Sequence, residues 1–269
     1  MSRSPESSYS IDITVVGFLF TSVVFLILLF PVEVSGYSFK SQLTDRTAKR
    51  FHHWNTKKKE ITGYTTLEYS VNHETGELLE KSRNLDKDLE TYTEKTLWFD
   101  EKSGELIKYQ EEDFRTNLKT LNIYKRNKIL TQVWEKGKKR EFKIKITPDL
   151  VPFEVLSFYL QSQINELVKK KTIRFTLYLP VVAVELTNKG LPLSLSQLSM
   201  KASVKKKKTR ETLFGKREVI TVRVEPTSFF IQALLGEKKS KFDFYFMNQQ
   251  PYTLVQFKEG DTHTKMIEP

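Results

Sequence analysis

The residues able to do chemistry are few and poorly placed for it. The chain has four His and no Cys. His52 and His53 are adjacent, so on a strand they face opposite ways and on a helix they do not share a face. His73 and His263 stand alone. Without Cys, a structural zinc would have to recruit carboxylates at no recognisable spacing, so no metal or cofactor is expected. Ser157 is the residue that most resembles a nucleophile, but it lies in an expected helix with no His nearby in sequence, and it reads as a packing or backbone-bonded serine. Glu111-Glu112-Asp113 could form a paired-carboxylate site, yet a charge run of this kind ordinarily marks a solvated loop. Neither a phosphate-binding glycine loop nor a G-x-S-x-G elbow is present. A non-enzymatic protein is expected.

Charge offers a different chemistry, the binding of anions. The formal charge is +11, and it rises to +13 when residues 1–36, with one basic and three acidic residues, are set aside. A field of that sign favours anionic partners. Lys205, Lys206, Lys207 and Lys208 fall between two apolar alternating runs and are expected in a hairpin loop; Lys136, Lys138, Lys139 and Arg140 form a second cluster. Nucleic-acid binding would place aromatic rings among such lysines as stacking platforms, and 205–208 has none, so nucleic acid is not the expected partner. Two readings stay open: a solvated surface that keeps a β protein soluble, and contact with anionic headgroups.

The elements that must carry these residues are mostly strands. Period-two alternation marks 62–71, 92–99, 105–110, 120–125, 129–134, 141–146, 173–179, 181–186, 193–204, 217–225, 241–247, 252–257 and 262–267, with a break at Pro180. Short polar turns ending in Gly104 and Gly137 read as hairpins. Residues 37–61 read as a basic lead-in, and 62–269 as a single antiparallel domain, a curved sheet or open half-barrel. One segment breaks the pattern. Over 149–168, Phe153, Leu156, Leu160, Ile164 and Leu167 recur at steps of three and four, which predicts a long helix, with Pro152 in its first turn and Lys169-Lys170-Lys171 at its C-terminal end. Phe158 and Tyr159 add bulk to another face. Such a helix either plugs the concave side of the sheet or lines a cavity for a lipid chain; the candidate lining is Phe153, Leu156, Phe158, Tyr159, Phe229 and Phe230. A second short helix is expected over 228–235, before Gly236.

The N-terminus supplies an address. Residues 15–30 (VVGFLFTSVVFLILLF) carry no charge. Pro31 and the small residues near Gly36 suit a cleaved secretory signal over 1–36. Extended by Ile13 and Val32, the run also suits an uncleaved anchor. Export, to the periplasm or to an inner-membrane anchor facing it, is the expected outcome. The basic residues after the run make a cytoplasm-facing anchor the alternative.

The stretch Glu154-Val155-Leu156-Ser157-Phe158-Tyr159-Leu160, following Pro148 and Pro152, resembles the helix motif of a bacterial envelope family of unknown function (domain of unknown function 3108). The later order is also similar, with Gly215-Lys216-Arg217 entering a strand and a hairpin over 251–260. The sequence departs from that pattern at Gln161 and Gln163, where a basic residue commonly follows the aromatics. The resemblance implies an exported half-barrel around a helix, like that of the lipoprotein carriers LolA and LolB. Two functions follow as expectations: a carrier or sensor of an apolar ligand, lipid or a lipoprotein acyl chain, in the envelope; or a protein-interaction or assembly module with a filled core.

Overall fold

The computed structural model describes residues 38, 40, 46, 48–180, 182, 183, 186, 192–229, 232 and 240–268. The apolar run at 15–30, the cleavage position after Gly36 and Phe230 lie outside them. No helix among the described residues is long and apolar enough to cross a membrane.

Fifteen strands among the described residues form one sheet. The first eight are β1 (Lys49–Asn55), β2 (Glu60–Asn72), β3 (Glu77–Asp86), β4 (Thr91–Asp100), β5 (Leu106–Asp113), β6 (Leu118–Lys125), β7 (Lys128–Glu135) and β8 (Lys138–Lys145). After β9 (Leu150–Pro152) come two helical segments, α1 (Leu156–Ser162) and α2 (Ile164–Lys170). The remainder are β10 (Thr172–Tyr178), β11 (Gln197–Thr212), β12 (Gly215–Pro226), β13 (Phe242–Met247), β14 (Leu254–Glu259) and β15 (Thr262–Glu268). The spatial order runs β8 down to β1, then β15 down to β9. Every pairing is antiparallel except β9 with β10, so the chain is two meanders joined at a seam, β1 against β15, paired from Arg50↔Glu268 to Asn55↔Thr262 with a register shift between Arg50 and Phe51.

The connection from β8 to β9 dictates the shape. β8 and β9 are the two edges of the sheet, yet only residues 146–149 join them. A flat sheet of this width would hold its edges on the order of 65 Å apart at about 4.8 Å per strand. Four residues span at most roughly 14 Å. The sheet must therefore curl until its edges face each other. They meet through side chains rather than a ladder: Ile129, Val133, Phe142 and Ile144 from the β7–β8 edge pack with Leu150 and Tyr178 from the β9–β10 edge. The result is an open ring.

Several segments differ from the sequence expectation. Residues 49–55, expected in the lead-in, form β1 beside the seam. Their alternation is hidden because Lys49 and His53 share the inward face with Phe51. The strand β3 (ELLEKSRNLD) shows no apolar alternation because its buried positions are Leu78, Glu80, Ser82 and Asn84. The single helix expected over 149–168 is instead β9, a 3-10 turn at Phe153–Val155, and then α1 and α2, divided at Gln163. Pro152 is extended and pairs in the sheet. At the division, Ser162 Oγ donates to the Tyr159 carbonyl at 2.6 Å, which competes with the helix ladder. Pro180, Val182, Ala183 and Leu186 are helical rather than strand, and Leu193–Ser196 is a 3-10 turn. Of the helix expected over 228–235, Ser228, Phe229 and Gln232 are described; Phe229 and Gln232 are helical and Ser228 is not. Glu111-Glu112-Asp113 is not a loop; it ends β5, with Glu111 and Asp113 turned inward and buried.

Candidate functional site: the interior of the ring and a basic hairpin

Cross-strand pairs share a face, so the ladders show what lines the ring. One row is apolar: Val71, Leu78, Phe99 and Leu106. Two residues along, the row reads Tyr69, Glu80, Leu97, Tyr109, Asn122 and Thr131. The next is Leu67, Ser82, Lys95, Glu111 and Thr120, and the last is Thr65, Asn84, Thr93 and Asp113. The first meander thus grades from an apolar end to a polar end on its inner face.

The helical segments occupy the interior and touch both meanders. Val155 and Phe158 pack with Leu78, Leu97, Phe99, Leu106 and Tyr109; the rings of Phe99 and Phe158 meet edge-on at 6.1 Å. Leu156, Leu160, Ile164 and Leu167 face the other way, into a core with Phe51, Met200, Val222, Phe244 and Phe257. Phe153 and Tyr159 pack against that second core, and Tyr159 lies over Phe175 at 5.2 Å between centroids. The expected lining residues Phe153, Leu156, Phe158 and Tyr159 are therefore distributed over two cores on opposite sides of the helix. Phe229 is 83% exposed after β12.

Buried polar groups fasten this plug. Glu154, at the entry to the helix, accepts from Asn122 Nδ2 at 2.5 Å and from the Tyr124 hydroxyl. Thr131 Oγ1 donates to Asn122 Oδ1 at 2.7 Å. Its only hydrogen is then used, so the Tyr178 hydroxyl, 2.9 Å away, is the donor to Thr131. One continuous relay joins β10, β7, β6 and the helix entry, crossing the gap between the sheet edges. Burial pushes the Glu154 carboxyl up, against both hydrogen bonds, and burial raises Tyr178 as well. Gln161 Nε2 donates to the Pro251 carbonyl at 2.5 Å and Tyr252 to Asn165 Oδ1 at 2.5 Å, tying α1 and α2 to the β13–β14 loop.

A second buried group sits among the charges. Lys95 Nζ is 3.2 Å from Glu111 Oε1, with both side chains almost fully enclosed, and Tyr109 donates to Glu111 Oε2 at 2.6 Å. Beside them, burial pushes Glu80 up to about 8, while the Tyr69 hydroxyl and the Lys49 ammonium act in the other direction. His53 Nε2 lies 2.8 Å from Thr65 Oγ1, whose hydrogen goes to Asn84 Oδ1 at 2.7 Å. His53 must therefore donate. Burial, then the charge of His52, lowers it to about 4. Among the described residues no group of three His, Asp or Glu converges as a metal site, and Ser157 is buried in α1. Asn122, Thr131, Glu154 and Tyr178 serve one another, as do Lys95, Glu111 and Tyr109; they were hidden in sequence because their partners lie on other strands.

The outer surface holds the basic cluster. Lys205–Lys208 are not in a loop. They lie within the sixteen-residue β11, all exposed, next to a register shift between Val204 and Lys206. The hairpin tip is Leu213-Phe214, closed by Thr212↔Gly215. Gly215 takes the left-handed φ of 77° that closes this turn. Thr212 Oγ1 bonds both Gly215 O and Phe214 N. Arg210, Lys216 and Arg217 extend the basic surface along the same hairpin, and Arg210 stacks on Tyr245 at 4.6 Å.

No family model and no curated protein matches the chain, so the resemblance to the envelope family of unknown function has no family match behind it. Two solved structures are similar. One is a Bacteroides fragilis protein described as exported and as having a YmcC-like fold, at 7% identity over 90% of this chain and 99% of that chain, with a TM-score of 0.33. The other is a Parabacteroides distasonis protein described as a lipoprotein, at 8% identity over 91% and 99%, with a TM-score of 0.27. Likeness at this level carries no argument about what this chain does.

Proposed function

We propose that this chain is a non-enzymatic binding protein of the cell envelope, exported or tethered by residues 1–36, that works through its outer surface around a filled interior. The observation that carries the reading is the seating of the helix: Leu156, Phe158, Leu160, Ile164 and Leu167 are each at most 3% exposed and are divided between two cores. An interaction or assembly module needs a rigid scaffold of this kind. A lipid or acyl-chain carrier needs an apolar cavity of several hundred Å³. Here carriage would require the helix to withdraw from Leu78, Leu97 and Phe99 and to break the Glu154 relay. Native mass spectrometry of the full chain extracted from its own envelope tests the choice. The polypeptide mass alone is expected. A stoichiometric lipid adduct that survives activation would overturn the filled-interior reading in favour of the carrier.

A further inference from the structure

The hairpin of β11 and β12 contradicts ordinary turn chemistry. Two-residue tips favour Gly, Asn, Asp and other polar residues. Three other tips in this sheet conform, with Arg126-Asn127, Lys136-Gly137 and Gly260-Asp261 between their closing pairs. The β11–β12 tip instead presents Leu213 and Phe214, 40% and 38% exposed. Beside this hairpin the ladder from β10 stops at Ser203 and that from β13 stops at Val219. Residues 209–217 continue past both ladders as a two-stranded ribbon, the last outside bond being Asn248 N–H to the Glu218 carbonyl at 2.8 Å.

The same ribbon is heavily basic. Between 205 and 218 it carries Lys205, Lys206, Lys207, Lys208, Arg210, Lys216 and Arg217 against Glu211 and Glu218. Lys205–Lys208, Lys216 and Arg217 make no ion pair among the described residues, whereas Lys201 and Arg223, on the same two strands, pair with Glu225 and Asp243. Lys206 and Lys208 stand close enough that their mutual repulsion lowers the pKa of Lys206. An anion would relieve that crowding.

We infer that this hairpin docks on an anionic lipid bilayer, with Leu213 and Phe214 entering the interface and the lysines and arginines resting on the headgroups. Each half of the arrangement needs the other. Two side chains give too little apolar area to hold a domain at a membrane, and basic residues alone would bind any polyanion; the pairing of an apolar tip with a basic collar fits a surface that is charged outside and apolar within. The inference adds a partner to the outward-facing reading above, but the hairpin geometry does not depend on how the ring is filled.

The test uses the full chain carrying Phe214→Trp, reconstituted in vesicles of phosphatidylcholine with or without phosphatidylglycerol. Expected are a blue-shifted emission and quenching by brominated acyl chains in the anionic vesicles, beyond that of wild type, lost as salt rises. Replacing Lys205–Lys208 with Gln should raise the lipid concentration needed for half of this signal by roughly 100- to 1000-fold. Absence of quenching in anionic vesicles overturns the inference, as does equal quenching in neutral ones. A blue shift with polyglutamate or heparin, unaccompanied by bromolipid quenching, would assign the hairpin to a soluble polyanion and also overturn it. Because the reporter sits on the tip, insertion by residues 15–30 does not produce the signal. A lipid adduct in native mass spectra would defeat the filled interior while leaving this result to stand.

Discussion

Single residues in the interior set how stability responds to pH, and two act in opposite directions. The folded pKa of Glu80 is raised to about 8 from an ordinary 4.5. The folded state therefore holds a proton that the unfolded state releases, and stability declines as pH rises from 4.5 towards 8, by up to roughly 1.4 kcal/mol per unit. His53, lowered to about 4 from 6.5, erodes stability as pH falls through that window. Glu80→Gln should flatten the alkaline slope and His53→Gln, which keeps a donor for Thr65, the acid slope; urea midpoints measured from pH 4 to 9 read both. Glu154→Ala would strand the Asn122 amide and the Tyr124 hydroxyl. At about 1–3 kcal/mol for each buried group left unsatisfied, a loss of roughly 2–5 kcal/mol is expected by denaturant titration, with faster amide exchange in β6 and β7, which the relay ties to β10.

At the scale of elements, packing on both faces makes α1 sensitive. Leu156→Ala should cost about 2–5 kcal/mol; a change below about 0.5 kcal/mol, as at an ordinary surface position, would place that face in solvent. On β2, a Cβ at Gly63 would fall 2.4 Å from the Leu85 backbone oxygen. A ladder partner cannot retreat without breaking the pairing, so Gly63→Ala should cost about 1–3 kcal/mol. What the sequence disclosed followed the same physics. Strands with a mainly apolar inner row, such as β7 and β13, and hairpins with polar tips were legible, and so was the stripe of Leu156, Leu160, Ile164 and Leu167. β1 and β3 were not, because a face that buries Lys49, Glu80, Ser82 and Asn84 has no hydropathy period. The division at Gln163 was hidden because a helical stripe survives a one-residue interruption. Lys205–Lys208 looked like a loop because a strand exposed on both faces is polar throughout, and the Leu213-Phe214 turn that follows carries none of the residues that ordinarily mark a tip.

For the whole molecule, the ring brings the two edges of a long sheet face to face without a ladder between them. The β8 and β9 edges, which would otherwise be templates for pairing with other chains, face each other across the Tyr178–Thr131–Asn122–Glu154 relay. Charge is uneven over this body: residues 205–218 hold seven basic and two acidic residues, on a hairpin that runs past the ladders of β10 and β13. Removing residues 262–268 should do more than shorten an edge, since β15 lies at the seam between the two meanders. That deletion is expected to abolish the cooperative unfolding transition seen by circular dichroism. The seam also bears on the order of biosynthesis. Its partners, β1 and β15, are made about two hundred residues apart, so the ribosome has finished nearly all of the described chain before the two halves can zip together. A nascent chain in this condition offers local hairpins but no finished domain. Export machinery that threads unfolded polypeptide would meet it in the state it requires, and the fold would close only once residues 262–268 arrive.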